Sequence, residues 1–343
     1  MIVSASYRTD IPAFYGAWFA NRLEAGFCRV VNPYGGAPIR VPLGGPEVDG
    51  FVFWTRNAAP FAAALDAVAA HRIPFVVHYT VTGYPRALEA ATPLSPRAVA
   101  AMRGLRHRFG PRAVVWRYDP ILVTSLTETG WHIDNFARLA AALAGATDEV
   151  VVSFAQFYAK TQTNLGAAAR RHGFAWRDPE PPEKRDLLRR LAASAGERGM
   201  RLTLCTQPGL VEAAAPAARC IDAERLSDVA GRRIAARTKG NRPGCACAES
   251  RDIGAYDSCP QGCAYCYAVR GQALARRRLH GHDPAGEFLA APRPPAGGDQ
   301  ATVSKRPPGE AGGPSAAPFG PGAGEPPLAT PTIAGRSSRS CSM

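Results

Sequence analysis

Short apolar runs rich in β-branched and aromatic residues recur along the first two thirds of the chain. Ala- and Leu-rich stretches with helical spacing separate them. The runs predict strands at Ile2–Ser6, Phe51–Thr55, Phe75–Thr80, Ala113–Asp119, Glu149–Phe154 and Arg201–Thr206. The stretches between them predict helices near 14–25, 58–71, 96–108, 133–145, 164–172 and 181–198. A hairpin is predicted before the second strand. It runs Cys28–Asn32, turns at Pro33-Tyr34-Gly35-Gly36 and returns as Ile39–Pro42. The runs are continuously apolar rather than alternating, so both faces of their sheet should be covered. Strand–helix repetition of this kind predicts an α/β fold with parallel strands, in its simplest form a full or partial (βα) TIM-like barrel.

Polar residues gather where the predicted strands end: Ser6, Arg8 and Asp10; Trp54 and Thr55; His78, Tyr79 and Thr80; Arg117, Tyr118 and Asp119; Ser153; Thr206 and Gln207. In such a barrel the active site lies at the carboxyl ends of the strands. Arg8, Asp10, Arg117 and Asp119 are therefore the candidate catalytic residues. Asp10, just before Ile-Pro, reads equally well as a helix cap.

From about residue 284 the hydrophobic period is lost and Pro, Gly, Ser, Ala and Thr dominate, the composition of a disordered tail. The expected organisation is a barrel-like domain over 1–240, a cysteine-rich segment over 241–283 that completes it, and the tail over 284–343. No run approaches the ~20 apolar residues of a membrane span. The N-terminus turns polar too early for a signal peptide. A cytoplasmic protein without a membrane partner is expected. The formal charge of +13 has two readings: an Arg-rich composition with solvated helix faces, or a surface for nucleic acid.

The cysteines sharpen the picture. Five of the nine lie between 245 and 266, as Cys245-Ala-Cys247 and Cys259-Pro-Gln-Gly-Cys263-Ala-Tyr-Cys266. Three thiolates at C-x3-C-x2-C spacing can fold around a cubane, one sulfur to each of three irons, with Gly262 allowing the sharp turn. The fourth iron is then capped or left open. A zinc ion on four of the five cysteines is the alternative. Cys245 and Cys247 are candidates for a fourth ligand, a second metal or local structure. A disulfide framework fits neither the odd count nor the missing secretory signal.

The string Tyr256-Asp-Ser-Cys259-Pro-Gln-Gly-Cys263-Ala-Tyr-Cys266-Tyr-Ala268 resembles the radical S-adenosylmethionine enzymes, most closely the branch that includes spore photoproduct lyase. That resemblance implies a [4Fe-4S] cluster, S-adenosyl-L-methionine, an external electron donor and a small-molecule or nucleic-acid-related substrate. No Gly-Gly-Glu-like segment marks where the cofactor would sit, and no residue is assigned to it. In those enzymes the cysteine loop follows the first barrel strand. Here it follows the others, the order of a circularly permuted barrel: Asp252–Ser258 would be the first strand, Tyr267–Arg278 the first helix, and Ile2–Ser6 the second strand. The whole of 1–270 also resembles a bacterial family, domain of unknown function 1848. The matching strings are Ser4-Ala-Ser-Tyr-Arg8-Thr-Asp10-Ile-Pro-Ala-Phe-Tyr15, Val52-Phe-Trp54-Thr55-Arg-Asn57, Trp116-Arg117-Tyr-Asp119-Pro-Ile121, Val152-Ser153-Phe154, and the segment from Cys245 through Tyr256 into the loop. The expected function is an iron–sulfur protein of radical S-adenosylmethionine type. The alternative is a non-catalytic protein with zinc or a closed cluster and a basic, nucleic-acid-binding surface.

Overall fold

A computed structural model describes residues 1–32 and 35–290. Eleven strands and nine α-helices are formed among these residues. In chain order they are β1 (Ile2–Ala5), α1 (Ile11–Phe14), α2 (Gly16–Glu24), β2 (Phe27–Val30), β3 (Ile39–Pro42), β4 (Gly50–Thr55), α3 (Ala62–Ala70), β5 (Phe75–Thr80), α4 (Ser95–Phe109), β6 (Val114–Ile121) and β7 (Val123–Thr124). Then follow α5 (Thr129–Leu143), β8 (Glu149–Phe154), α6 (Ala159–His172), β9 (Trp176–Arg177), α7 (Pro181–Gly196), β10 (Arg201–Leu204), α8 (Ala223–Ala230), β11 (Ser250–Asp252) and α9 (Gln272–His280).

Seven strands make one sheet in the order β10-β8-β6-β5-β4-β1-β11, and every pairing is parallel. The last strand in sequence, β11, lies beside the first, with Ile2 opposite Ser250 and Ser4 opposite Asp252. Counted from β11, the seven strands are spatial neighbours in sequence order. Among the described residues no pairing joins β10 to β11, so the sheet is a barrel-like arc.

The alternation along each strand sorts its side chains. Val3, Phe51, Phe53, Phe75, Val77, Trp116, Tyr118, Val150, Val152 and Leu202 belong to the larger core, which includes Trp18 and Phe19 of α2, Leu65 of α3, Phe136 of α5 and Leu187 of α7. Ile2, Val52, Val76, Val115 and Val151 point the other way. They pack on Cys205, Cys220, Ile221, Leu226, Cys247 and Ala248, so the segment from 205 to 248, with α8, covers the second face. Both faces are covered, which is why the strands read as unbroken apolar runs.

The predicted helices form with small shifts at their ends. The hairpin strands pair antiparallel, Phe27 opposite Pro42 and Val30 opposite Ile39; its turn at Pro33 and Tyr34 lies outside the described residues. The cysteine segment departs from expectation at both ends. The strand stops at Asp252 because that carboxylate accepts from the Gly254 N–H at 2.9 Å and bends the chain. The helix starts at Gln272, not Tyr267. Asp257 holds Arg270 through its backbone N–H (2.7 Å) and its Nε (2.9 Å), and its own N–H donates to Ala268 O, which commits 268–270 to the loop.

The boundary expected at 284 also moves. Trp18, Asn21 and Arg22 of α2 donate to the carbonyls of Gly286, Pro284 and Ala285, and Leu289 is buried. The rest of the expected tail, 291–343, lies outside the described residues.

Candidate metal centre

The cysteine loop begins at the carboxyl end of β11, on the same rim as the residues that follow β1, β4, β5, β6 and β8. Its backbone is laced to the segment after β5: Ala91 N donates to Gln261 O at 3.0 Å, and Ala264 N to Leu88 O at 2.9 Å. Asn164 of α6 donates to the carbonyl of Val269 at 2.9 Å. Tyr84, Leu88, Leu122, Leu165, Phe174, Ala264 and Tyr265 form a separate apolar cluster beneath the loop. Inside it, Cys266 N closes on Cys263 O at 3.1 Å. Gly262 takes φ of +74°, a conformation that side-chain-bearing residues rarely adopt.

Cys259, Cys263 and Cys266 are each partly exposed. Burial raises all three thiols, and mutual repulsion adds to this at Cys259 and Cys263. Arg56 opposes the rise at Cys263, pushed up to about 12, and at Cys266, where Lys160 acts with it. The sulfurs are near enough to raise one another electrostatically, and no hydrogen bond joins them among the described residues. As the side chains stand, no group of three or more His, Cys, Asp or Glu among the described residues is placed to hold a metal ion.

Under the loop lies a buried charged group that the sequence did not single out. Arg56 pairs with Glu89 at 2.8 Å. Tyr265, between Cys263 and Cys266, donates to Glu89 and accepts from Arg56. Thr92 also donates to Glu89, at 3.1 Å. Arg56 stands in one of the resembling strings, as Trp54-Thr55-Arg-Asn57; Glu89 had no such signal. A cavity of about 80 Å³ adjoins them, lined among others by Thr82, Arg86 and Leu94.

The four expected rim residues are all near the strand ends, in two settings. Arg8 is ion-paired to Asp252, Nε to Oδ1 at 2.9 Å, and is 7% exposed. Asp10 caps α1 through the Ala13 N–H at 3.0 Å, and its other oxygen accepts from Arg56 N (2.9 Å) and Gln261 Nε2 (3.0 Å). These two hold the loop in place, and burial raises the Asp10 carboxyl above its usual range. Arg117 and Asp119 lie on the second face of the sheet, paired to each other, with Ser153 donating to Asp119.

Cys245 and Cys247 do not join the loop. Cys247 neighbours Cys220 and Cys245, and Cys220 lies 3.6 Å from Cys205. Cys205 and Cys220 were missed because each stands alone in sequence. The one available signal was position: Cys205 lies at the end of the predicted strand Arg201–Thr206, beside Thr206 and Gln207.

A family model, domain of unknown function DUF1848, matches residues 2–268. The chain belongs to this family. The match runs from β1 through the whole cysteine loop. No curated protein matches the chain. Among solved structures, a D-hydantoinase is similar at a TM-score of 0.28 and 9% identity, over 67% of this chain and 44% of that one. A triazine hydrolase variant is similar at a TM-score of 0.26 and 14% identity, over 59% of this chain and 44% of that one. The chain thus spans under half the length of these structures, and likeness at such TM-scores carries no argument about activity. No helix among the described residues is long and apolar enough to cross a membrane.

Proposed function

We propose that this chain is an iron–sulfur protein of radical S-adenosylmethionine type, with a [4Fe-4S] cluster held by Cys259, Cys263 and Cys266. The observation that carries the reading is the placement of the loop. It leaves the carboxyl end of β11, which lies parallel beside β1, so the thiols stand at the rim after the strand that begins the spatial order. Held by these three thiolates, a cluster with one open iron would supply an electron, taken from an external donor, for reductive cleavage of S-adenosyl-L-methionine to methionine and 5′-deoxyadenosine, with a hydrogen atom drawn from the substrate.

The chain's own residues supply the setting. Arg56 and Lys160 place positive charge beside Cys263 and Cys266, which favours their thiolates. Asp10 and the Arg8–Asp252 pair fix the loop against β1. Asp119 and Ser153, with Arg117 paired beneath, offer hydrogen-bonding groups for a polar substrate.

The test is anaerobic reconstitution with iron and sulfide, then incubation with S-adenosyl-L-methionine and a reductant. The expected result is a brown protein that releases 5′-deoxyadenosine. A fully reconstituted, reducible protein that never cleaves the cofactor would leave a closed cluster as the reading. A colourless protein carrying zinc on the loop would leave neither.

A further inference from the structure

We propose that Cys205, Cys220, Cys245 and Cys247 form a second metal site, on the second face of the sheet, for a single tetrahedral ion of the zinc class. Four thiols from three separate segments meet there. Cys205 follows β10, Cys220 precedes α8, and Cys245 and Cys247 lie on an irregular stretch folded back beside them. Ala248 N donates to Ile221 O at 2.9 Å and holds that stretch in place. The sulfurs form a chain of neighbours, Cys205 to Cys220 to Cys247 to Cys245.

The spacing favours one ion over a cluster. Two thiolates on one tetrahedral ion, with Zn–S bonds of about 2.3 Å, lie roughly 3.8 Å apart. Cys205 and Cys220 stand at 3.6 Å. Thiolates on different irons of a cubane are further apart, since an iron–iron edge intervenes. The same 3.6 Å is far beyond a disulfide bond of about 2.05 Å. Bringing all four sulfurs onto one point takes rotation about their Cα–Cβ bonds, since no three of them converge as the side chains stand.

The sulfurs pack on the apolar second face of the sheet, yet charged and polar donors also reach them. Arg117, itself 7% exposed, gives one guanidinium nitrogen to Asp119 and the other to the Cys220 sulfur at 3.0 Å. Thr206 Oγ1 lies 3.1 Å from the Cys205 sulfur, and Arg242 Nη2 lies 3.9 Å from it. The Ile221 N–H donates to Cys247 at 3.4 Å. Donors of this kind orient and neutralise metal-bound sulfur. Four thiolates around a divalent ion carry a charge of about −2; Arg242 offsets part of it, and Arg117, already paired to Asp119, adds a hydrogen bond to the Cys220 sulfur. The ion would clamp the segment from 205 to 248 across the sheet, directly over Arg117.

The test uses the full chain with Cys259→Ser, Cys263→Ser and Cys266→Ser, so that the loop cannot take the ion and the outcome is independent of the proposed function. After chelator treatment, cobalt(II) is titrated anaerobically. The expected result is one equivalent bound, with the strong visible bands of a tetrahedral sulfur site, and displacement by zinc. Adding Cys205→Ser or Cys220→Ser should weaken binding at least tenfold. X-ray absorption at the cobalt edge, which needs no further variant, should show four sulfur neighbours. Three results would overturn the site: no cobalt bound, cobalt bound with oxygen ligands or unaffected by both substitutions, or iron and sulfide taken up together at these cysteines.

Discussion

Arg8 and Asp252, 244 positions apart in sequence, form a buried ion pair across the seam where β11 joins β1. The Asp252 carboxylate also accepts from Ser4 Oγ (2.6 Å), Ser6 Oγ (2.8 Å), Tyr7 N (3.1 Å) and Gly254 N (2.9 Å). One carboxylate thus ties the beginning of the sheet to the strand that launches the cysteine loop.

Asp252→Asn should destabilise the chain by about 3–5 kcal/mol, because it leaves the Arg8 guanidinium buried without its counter-charge. Urea unfolding checks it as a fall in midpoint at unchanged m-value. A loss under about 1 kcal/mol would mean the seam holds without the pair.

Gly254→Ala should disturb the same seam for a steric reason. A Cβ on Gly254 would lie 2.0 Å from Ser6 Oγ and 2.5 Å from Ser6 Cβ. Overpacking of this sort costs about 1–3 kcal/mol. Thermal unfolding in the wild-type and Ser6→Gly backgrounds gives the check: Gly254→Ala should cost clearly less where Ser6 is already Gly, although Ser6→Gly carries its own cost through the lost bond to Asp252.

Arg56 and Glu89 should behave as a coupled unit. Their side chains are 12% and 4% exposed, and removing either partner strands the other, at a cost of about 3–5 kcal/mol. In a double-mutant cycle with Arg56→Gln and Glu89→Gln, the double variant should lose clearly less than the two single losses together. Additive losses would show that the two act separately.

The cysteines should sort into two classes. Replacing Cys259, Cys263 or Cys266 by Ala should abolish iron and sulfide binding at the loop while circular dichroism is retained, since each thiolate anchors its own iron and the core lies elsewhere. Cys245→Ala and Cys247→Ala should leave loop iron unchanged. A drop in loop iron in those two variants would place them at the cluster after all.

Acid should weaken the fold through His132. The ring is fully buried, with Tyr118 OH at one nitrogen (2.8 Å) and Leu122 O at the other (3.1 Å). Burial lowers it to about 4 from an ordinary value of 6.5. A depressed histidine contributes stability that is present above pH 6.5 and is lost as pH falls from 6.5 to 4, by about 3 kcal/mol in all. Its ring neighbours Tyr84, Tyr118 and Trp131 carry no charge in that range. Unfolding free energies across that window should fall less steeply in His132→Gln than in the wild type.

The sequence by itself determined the local elements and the loop. Six strands were legible because both faces of the sheet are covered and each run is apolar throughout. The three loop cysteines were legible because ligands on one turn must be close in sequence. Tertiary structure alone decided the rest. It put β11 beside β1, a pairing between residues some 250 positions apart that no local pattern encodes. It turned Arg8 and Asp10 into braces for the loop, since burial and partners are properties of neighbours distant in sequence. It drew Cys205 and Cys220 to Cys245 and Cys247, because strand order brings together side chains that stand alone along the chain.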